Sequence, residues 1–434
     1  MSPNQDHFTP VRRYRERIVD SELDELLPQL PAIALEGPKG VGKTETARRR
    51  ATTVYELDEP ARRAIIEADP SRVLIGDPPR LVDEWQRVPE SWDLVRRAVD
   101  AGCPPSSFLL TGSASPPHTA THSGAGRIVT LRMRPLSLAE RELARPTVSL
   151  GSLLADTAPS LTGRCELGLQ DYIDEILRSG FPGLRAYSGR ALRAQLDGYL
   201  HRIVDRDFKE QGLNVRRPEA LKRWLVAYAA ATATSASFEA IRDAATGGEG
   251  DKPAKTTTQP WHDALVGLWV VDPVPAWLPT QNDLRRLAQS PKHHLADPAL
   301  SARLLGLDAA ALVDGSEIGP RVGSGGHVLG RLFESLVTLS LRVYAQAHEA
   351  QVKHLRLHGG EHEIDLIVER ADRRVLAIEV KLGRTVDDGD VKHLLWLKER
   401  LGHQLIDAIV VHTGPEAYRR QDGVGVVPAA LLKE

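Results

Sequence analysis

Residues 37–44 read "GPKGVGKT". Gly37, Gly42, Lys43 and Thr44 fit the spacing G-x-x-x-x-G-K-[ST] without departure. A segment of this kind wraps a polyphosphate: glycines let the main chain curve, and successive amide N–H groups form an anion nest. A helix that starts there adds the partial positive charge of its N-terminus. Lys43 would reach the β- and γ-phosphates of ATP, Thr44 would ligate Mg2+, and Pro38, Lys39, Gly40 and Val41 would line the wrap. ATP and Mg2+ are therefore the expected cofactors. About 40 residues further on, "RLVDEWQ" places Asp83 and Glu84 at the end of an apolar run. Asp83 would hold Mg2+ through water and Glu84 would polarise the attacking water. In "SFLLTGS", Thr111 and Ser113 either sense the γ-phosphate or cap a strand end. Arg127, in "GAGRIVTLRM", is read as an arginine finger or sensor, in cis or in trans, with a surface charge as the alternative.

A second constellation lies in "EIDLIVERADRRVLAIEVKLG", residues 363–383. Strand alternation sets Ala377, Glu379 and Lys381 on one face and Leu376, Ile378 and Val380 on the other. The apolar face would pack on a helix and leave Glu379 and Lys381 on an active face. Asp365 would approach Glu379 across the hairpin, and two such carboxylates repel unless a cation lies between them. Mg2+ suits oxygen ligands and would supply a water to attack a phosphodiester, with Lys381 steadying developing charge. Glu334, in "GRLFESLV", would add a further acid. The D…E-x-K pattern is short, and the same residues would also satisfy one another as salt bridges, so cleavage of DNA or RNA stays open.

Other segments carry less. "KHLRLHGGEHE" collects His354, His358, His362, Glu361 and Glu363, but the spacing matches no closed metal site and suits a polar strand and turn. "DKPAKTTTQPWHDALVGLWVV" would place Lys255, Thr256 and Thr257 at the start of a helix in a winged-helix-like unit. Without a basic stripe, packing between domains fits it better than reading DNA. The basic runs "RRYRER" and "ARRR" read as solvated faces or phosphate contacts.

These residues need elements to position them. "AIALEG", "TVYELD", "RLVDE", "SFLLTGS" and "RIVTLRM" read as strands separated by helices, which predicts an α/β domain with a parallel sheet. Residues 146–168 are rich in Ser, Thr, Pro and Gly and read as a loop. Helices follow, and then a long amphipathic helix, strands "EIDLIVE" and "VLAIEVK", helix "DVKHLLWLKERLG" and strand "DAIVVHTG". The expected domains are residues 1–145, 146–289 and 290–434. The chain has 434 residues, 41% of them hydrophobic, with a net charge of −2, so no global basic field marks it for nucleic acid. Cys103 and Cys165 make no disulfide framework. No apolar leader or membrane-length apolar run occurs, so a cytoplasmic protein without a membrane partner is expected.

The ordered set "YRERIVDSELDELL", "LEGPKGVGKT", "RLVDEWQRVPESWDLVRRAVD", "FLLTGSAS", "GRIVTLRMRPLSLAERE", "SGFPGL", "YLHRIVDRD", "SPKHHLADPALSARLLG", "GRLFESLV" and "IEVKLG" resembles a large family of bacterial and archaeal AAA+ ATPases with a C-terminal domain of unknown function. The resemblance spans nearly the whole chain. It implies a P-loop sheet at the N-terminus and a winged-helix-like region followed by a restriction-endonuclease-like fold. ATP hydrolysis would drive rearrangement of domains or oligomer, coupled to the nuclease-like domain. The alternative is a nucleotide-switched DNA- or protein-binding regulator with an inactive nuclease-like domain, since some relatives are linked to toxin–antitoxin loci. The partner, whether DNA, RNA, another protein or a second copy, stays open.

Overall fold

The computed structural model describes residues 14–434 apart from 114–123, 156–157, 211, 214, 247–251, 280–288, 315–327 and 358–360. Near the N-terminus, β1 (Ala32–Glu36), β2 (Thr53–Glu56), β3 (Arg80–Asp83), β4 (Phe108–Gly112) and β5 (Val129–Arg132) form one sheet in the order β2-β3-β4-β1-β5. Every pairing in it is parallel. Parallel strands are covered on both faces and so read as unbroken apolar runs. β1 meets this rule: Ala32, Ile33, Ala34 and Leu35 are all fully buried. β1 lies inside the sheet, between β4 and the edge strand β5, so its C-terminal end stands beside the tip of β4 and one strand from that of β3, which brings three separate sequence motifs together.

Helices fill the middle of the chain: Leu169–Arg178, Gly189–Arg202, Pro218–Ala230, Phe238–Ala244, Lys255–Gly267 and Pro298–Leu304. The second of these continues through a π-helical turn, Ile203–Asp207. Lys255 begins a helix, whereas the composition of residues 247–260 reads as a loop. After that helix the chain forms a short antiparallel ladder, with Val271 opposite Leu295 and Val274 opposite Lys292. The expected boundary at 289/290 falls between the two arms of this ladder.

Residues 146–168 depart from the loop reading. They contain β6 (Val148–Ser149) and a helix, Leu150–Leu154, and β6 pairs with β13 (Leu432–Lys433) at the far end of the chain. Leu150, Leu153 and Leu154 are buried. Their i, i+3, i+4 spacing is helical, but a single turn among Ser, Thr and Pro is too short to stand out as periodic.

In the C-terminal part the long helix Val328–Gln346 precedes β7 (Gln351–Arg356), β8 (Glu363–Glu369) and β9 (Val375–Lys381). Helix Asp388–Leu401 and β10 (Leu405–His412), β11 (Tyr418–Arg419) and β12 (Gly425–Pro428) follow. The sheet order is β11-β12-β10-β9-β8-β7, antiparallel from β7 to β9 and parallel from β9 through β10 to β12. Leu376 and Ile378 pack with Phe333 and Leu336 of the long helix. Val375 and Ala377 pack with Val391, Leu394 and Leu397 of helix Asp388–Leu401. Both faces of β9 are thus covered, which corrects the expectation of one open face beside Glu379.

Candidate functional site

The turn from β1 into helix Lys43–Arg48 uses its glycines for space and for backbone shape. Gly40 and Gly42 have φ of 85° and 102°, where a Cβ is disfavoured. At Gly37 an added Cβ would lie 2.1 Å from the carbonyl oxygen of Met133, so main chain meets main chain there. Gly37→Ala is expected to force this turn open and weaken nucleotide binding at least tenfold, read by titration with a fluorescent ATP analogue. Lys43 is buried, and its ammonium donates to the carbonyls of Gly37 (2.8 Å) and Pro38 (3.0 Å), which holds it inside the loop. Burial pushes its pKa down to about 8, opposed by the nearby Glu84 and Asp83 carboxylates.

Thr44 Oγ1 donates to Asp83 Oδ1 at 2.7 Å, across from the end of β3. This hydroxyl–carboxylate pair suits Mg2+ held directly by Thr44 and through water by Asp83, since that ion takes oxygen ligands and keeps several waters. Thr111, at the tip of β4, also donates its hydroxyl to Asp83 Oδ1, and accepts the N–H of Glu84 at 3.2 Å. Burial raises the Asp83 pKa, while the Thr111 and Thr44 hydroxyls work against that rise. Glu84 has φ of 55°, in the left-handed region that side chains seldom adopt. That turn swings its carboxylate to Ser113, which donates to it at 2.7 Å, and to Gln86. Gln86 gave no signal in the sequence, since a glutamine after "DE" belongs to no spacing rule.

Two other expected residues lie elsewhere. The Arg127 guanidinium pairs with Asp100 at 2.6 Å and bonds the carbonyl of Ala125, so within the chain its described partners are away from the loop. Lys39 turns outward and pairs with Asp207 (2.6 Å) and Glu210 (3.1 Å), on and just after the π-helical turn. In the basic runs Arg15, Arg48 and Arg49 are exposed, as a solvated face requires, while Arg17 and Arg50 turn inward. Arg17 is buried, bonds the carbonyls of Val41 and Arg134 at 2.7 Å each, and pairs with Glu140 at 2.9 Å. Arg50 pairs with Asp20 and Asp24, and Arg48 with Glu56. These arginines brace the loop and its helix from outside.

The C-terminal residues do converge. β8 and β9 pair with Leu366 opposite Ile378, and the Val380 N–H donates to Asp365 Oδ2 at 3.0 Å. Lys381 pairs with Glu379 Oε2 at 2.9 Å, while Glu379 Oε1 is buried with no hydrogen-bond partner among the described residues. Sequence reasoning missed Lys292, in "SPKHH". Its ammonium is 1% exposed and lies 2.7 Å from Glu334, 3.4 Å from Asp365 and 3.8 Å from Glu363. Burial alone would lower its pKa, but Glu334, Asp365 and Glu363 outweigh it and hold it above the ordinary value. Burial and the neighbouring Asp365 raise Glu379 well above the carboxylate range. Asp365 stays low because Lys292, Lys381 and the Val380 amide outweigh its burial. The histidines do not gather. His354 is buried against the carbonyl of Ser290, His362 stacks on Trp396, and His358 lies outside the described residues.

A five-stranded parallel sheet with an interior strand running into a glycine-wrapped lysine, facing a Thr–Asp pair and an acid, defines the P-loop nucleotide-binding class. One family match agrees with that class. Residues 29–142 match the family described as an AAA domain. Residues 169–311 and 329–432 match two domains of unknown function, DUF8612 and DUF4143. Uncharacterised proteins of Mycobacterium tuberculosis and Mycobacterium bovis are each 27% identical over 420 residues, which is 94% of this chain and 82% of the relative. A solved Walker-type ATPase of Pyrococcus abyssi aligns with 67% of this chain and 96% of its own at 14% identity and a TM-score of 0.35. The AAA match and the loop together support ATP binding and hydrolysis in the N-terminal third. Among the described residues no helix is long and apolar enough to cross a membrane.

Proposed function

We propose that the chain is a Mg2+-dependent ATPase whose nucleotide state is passed to its C-terminal domain. The observation that carries the reading is the meeting of Thr44, Asp83 and Thr111 at one carboxylate oxygen, with Glu84 anchored alongside by Ser113 and Gln86. Lys43 and the loop amides bind the phosphates, Thr44 and Asp83 hold the metal, and Glu84 accepts a proton from the attacking water. Bound Mg2+ supplies charge neutralisation between the phosphates. The clamp of Lys39 by Asp207 and Glu210 supports rearrangement of the helical middle, because a polyphosphate beside Lys39 competes with those carboxylates for the same ammonium. Phosphate release from ATP should depend on Mg2+ and fall to background in EDTA. Asp83→Asn should lower it about 100-fold, and an unchanged rate in either arm removes the metal from the reading.

The helix–sheet–helix arrangement with Asp365, Glu379 and Lys381 supports a restriction-endonuclease-like reading of residues 290–434. A specific observation favours a regulatory role over cleavage: Lys292 sits among the carboxylates, and Glu379 is 3% exposed. In that role the C-terminal domain presents a nucleotide-dependent surface to DNA, RNA, a protein or a second copy.

A further inference from the structure

We propose that Lys292 is the built-in cation of the C-terminal carboxylate cluster, taking the place a divalent metal would need and closing the cluster to such ions. The proposal is independent of the ATPase reading, since the cluster and the phosphate loop share no residue.

Three features of the geometry point to it. The ammonium lies within 4 Å of three carboxylates drawn from two elements: Glu334 on the long helix, and Glu363 and Asp365 on β8. Contacts of that kind, from acids that would otherwise repel, are what a cation makes. An ammonium has three donors, and the carboxylates of Glu334 and Asp365, with the Asp365 carbonyl at 3.5 Å, surround it. The remaining acid, Glu379, lies 2.9 Å from the ammonium of Lys381. Four acids therefore face two lysines. A divalent ion entering here would meet the positive charge of Lys292 at contact range.

The position of Lys292 is set by main chain as well as by charge. Its N–H and carbonyl both bond Val274 across the short ladder, at 2.9 Å each. The other arm of that ladder carries Asp272, which is buried and pairs with Arg132, Arg134 and Arg342. One hairpin thus presents an acid to three arginines and, on its other arm, a base to three acids. Lys292 is held by both arms and is not a surface lysine that happens to fold inward.

Mn2+ titrated into nucleotide-free protein and read by electron paramagnetic resonance tests the proposal. Wild type and Asp365→Asn are expected to bind the same amount of Mn2+. Lys292→Ala, or Lys292→Met where the smaller residue does not fold, is expected to gain one Mn2+ per chain at least tenfold tighter than anything this cluster binds in wild type. Adding Asp365→Asn to that variant should remove the gained ion. A wild-type site that disappears in Asp365→Asn overturns the proposal, as does a folded Lys292 variant that gains nothing. Should neither lysine variant fold, the comparison of wild type with Asp365→Asn decides it alone: equal binding supports the built-in cation, and lost binding refutes it.

Discussion

Lys43→Ala is expected to lower phosphate release from Mg-ATP by about 1000-fold, and Glu84→Gln by a similar factor, yet the two should part company on binding. The Lys43 ammonium sits inside the phosphate wrap, on the carbonyls of Gly37 and Pro38. Its loss removes charge from both the bound triphosphate and the transition state, so affinity and turnover fall together. Glu84 stands beyond the metal pair, and Ser113 and Gln86 fix its carboxylate. A glutamine of the same shape keeps those contacts but cannot take a proton, so ATP stays bound and unhydrolysed. Stopped-flow phosphate release combined with a fluorescent nucleotide titration separates the two. Equal loss of affinity in Glu84→Gln would place that carboxylate in ground-state binding and remove it from the role of base.

The difference between these residues and Lys292 marks what a sequence can disclose. The phosphate loop is legible because its chemistry is local: eight consecutive residues carry the wrap, the lysine and the hydroxyl. The strand tips at Asp83 and Thr111 are legible because an unbroken apolar run ends in polar residues. Asp365, Glu379 and Lys381 are legible because strand alternation has a fixed period and one hairpin joins them. Lys292 follows none of these rules. It meets Glu334 and Asp365 at separations of 42 and 73 residues, and only the closing of the tertiary structure brings it there. Arg17 is similar: its contacts to Val41, Arg134 and Glu140 make a basic run look like a solvated face until the chain is folded. The covered face of β9 has the same origin. The alternation of Ala377 and Glu379 with Ile378 is read correctly from sequence, but whether a second helix lies on that face depends on where residues 388–401 pack.

Asp272→Asn should destabilise the junction between the ATPase sheet and the rest of the chain by about 3–5 kcal/mol. The carboxylate is 5% exposed and receives Arg342 at 2.7 Å, Arg134 at 2.9 Å and Arg132 at 3.1 Å. Arg132 ends β5 and also lies over the ring of Trp269, while Arg342 belongs to the long helix that carries Glu334. Removing the negative charge leaves three guanidinium groups facing one another in a site with little water, which costs far more than the net worth of the pairs. The pH dependence has a definite sign. Burial would raise the Asp272 pKa, but Arg132, Arg134 and Arg342 outweigh it and hold the carboxyl far below its ordinary value. A depressed folded pKa stabilises above the unfolded value of about 3.9 and ceases to do so as pH falls through the folded one. The gap between wild type and Asp272→Asn should therefore be constant from pH 8 to about 5 and narrow below about pH 4. Hydrogen exchange at the ladder amides of Asp272, Val274 and Lys292 reports this junction directly, without requiring that a chain of several domains unfold in one step. Those amides should exchange at least 100-fold faster in the variant at pH 7. Protection that stays at the wild-type level would mean that the arginines find other partners and that the hairpin is not the joint between the two halves.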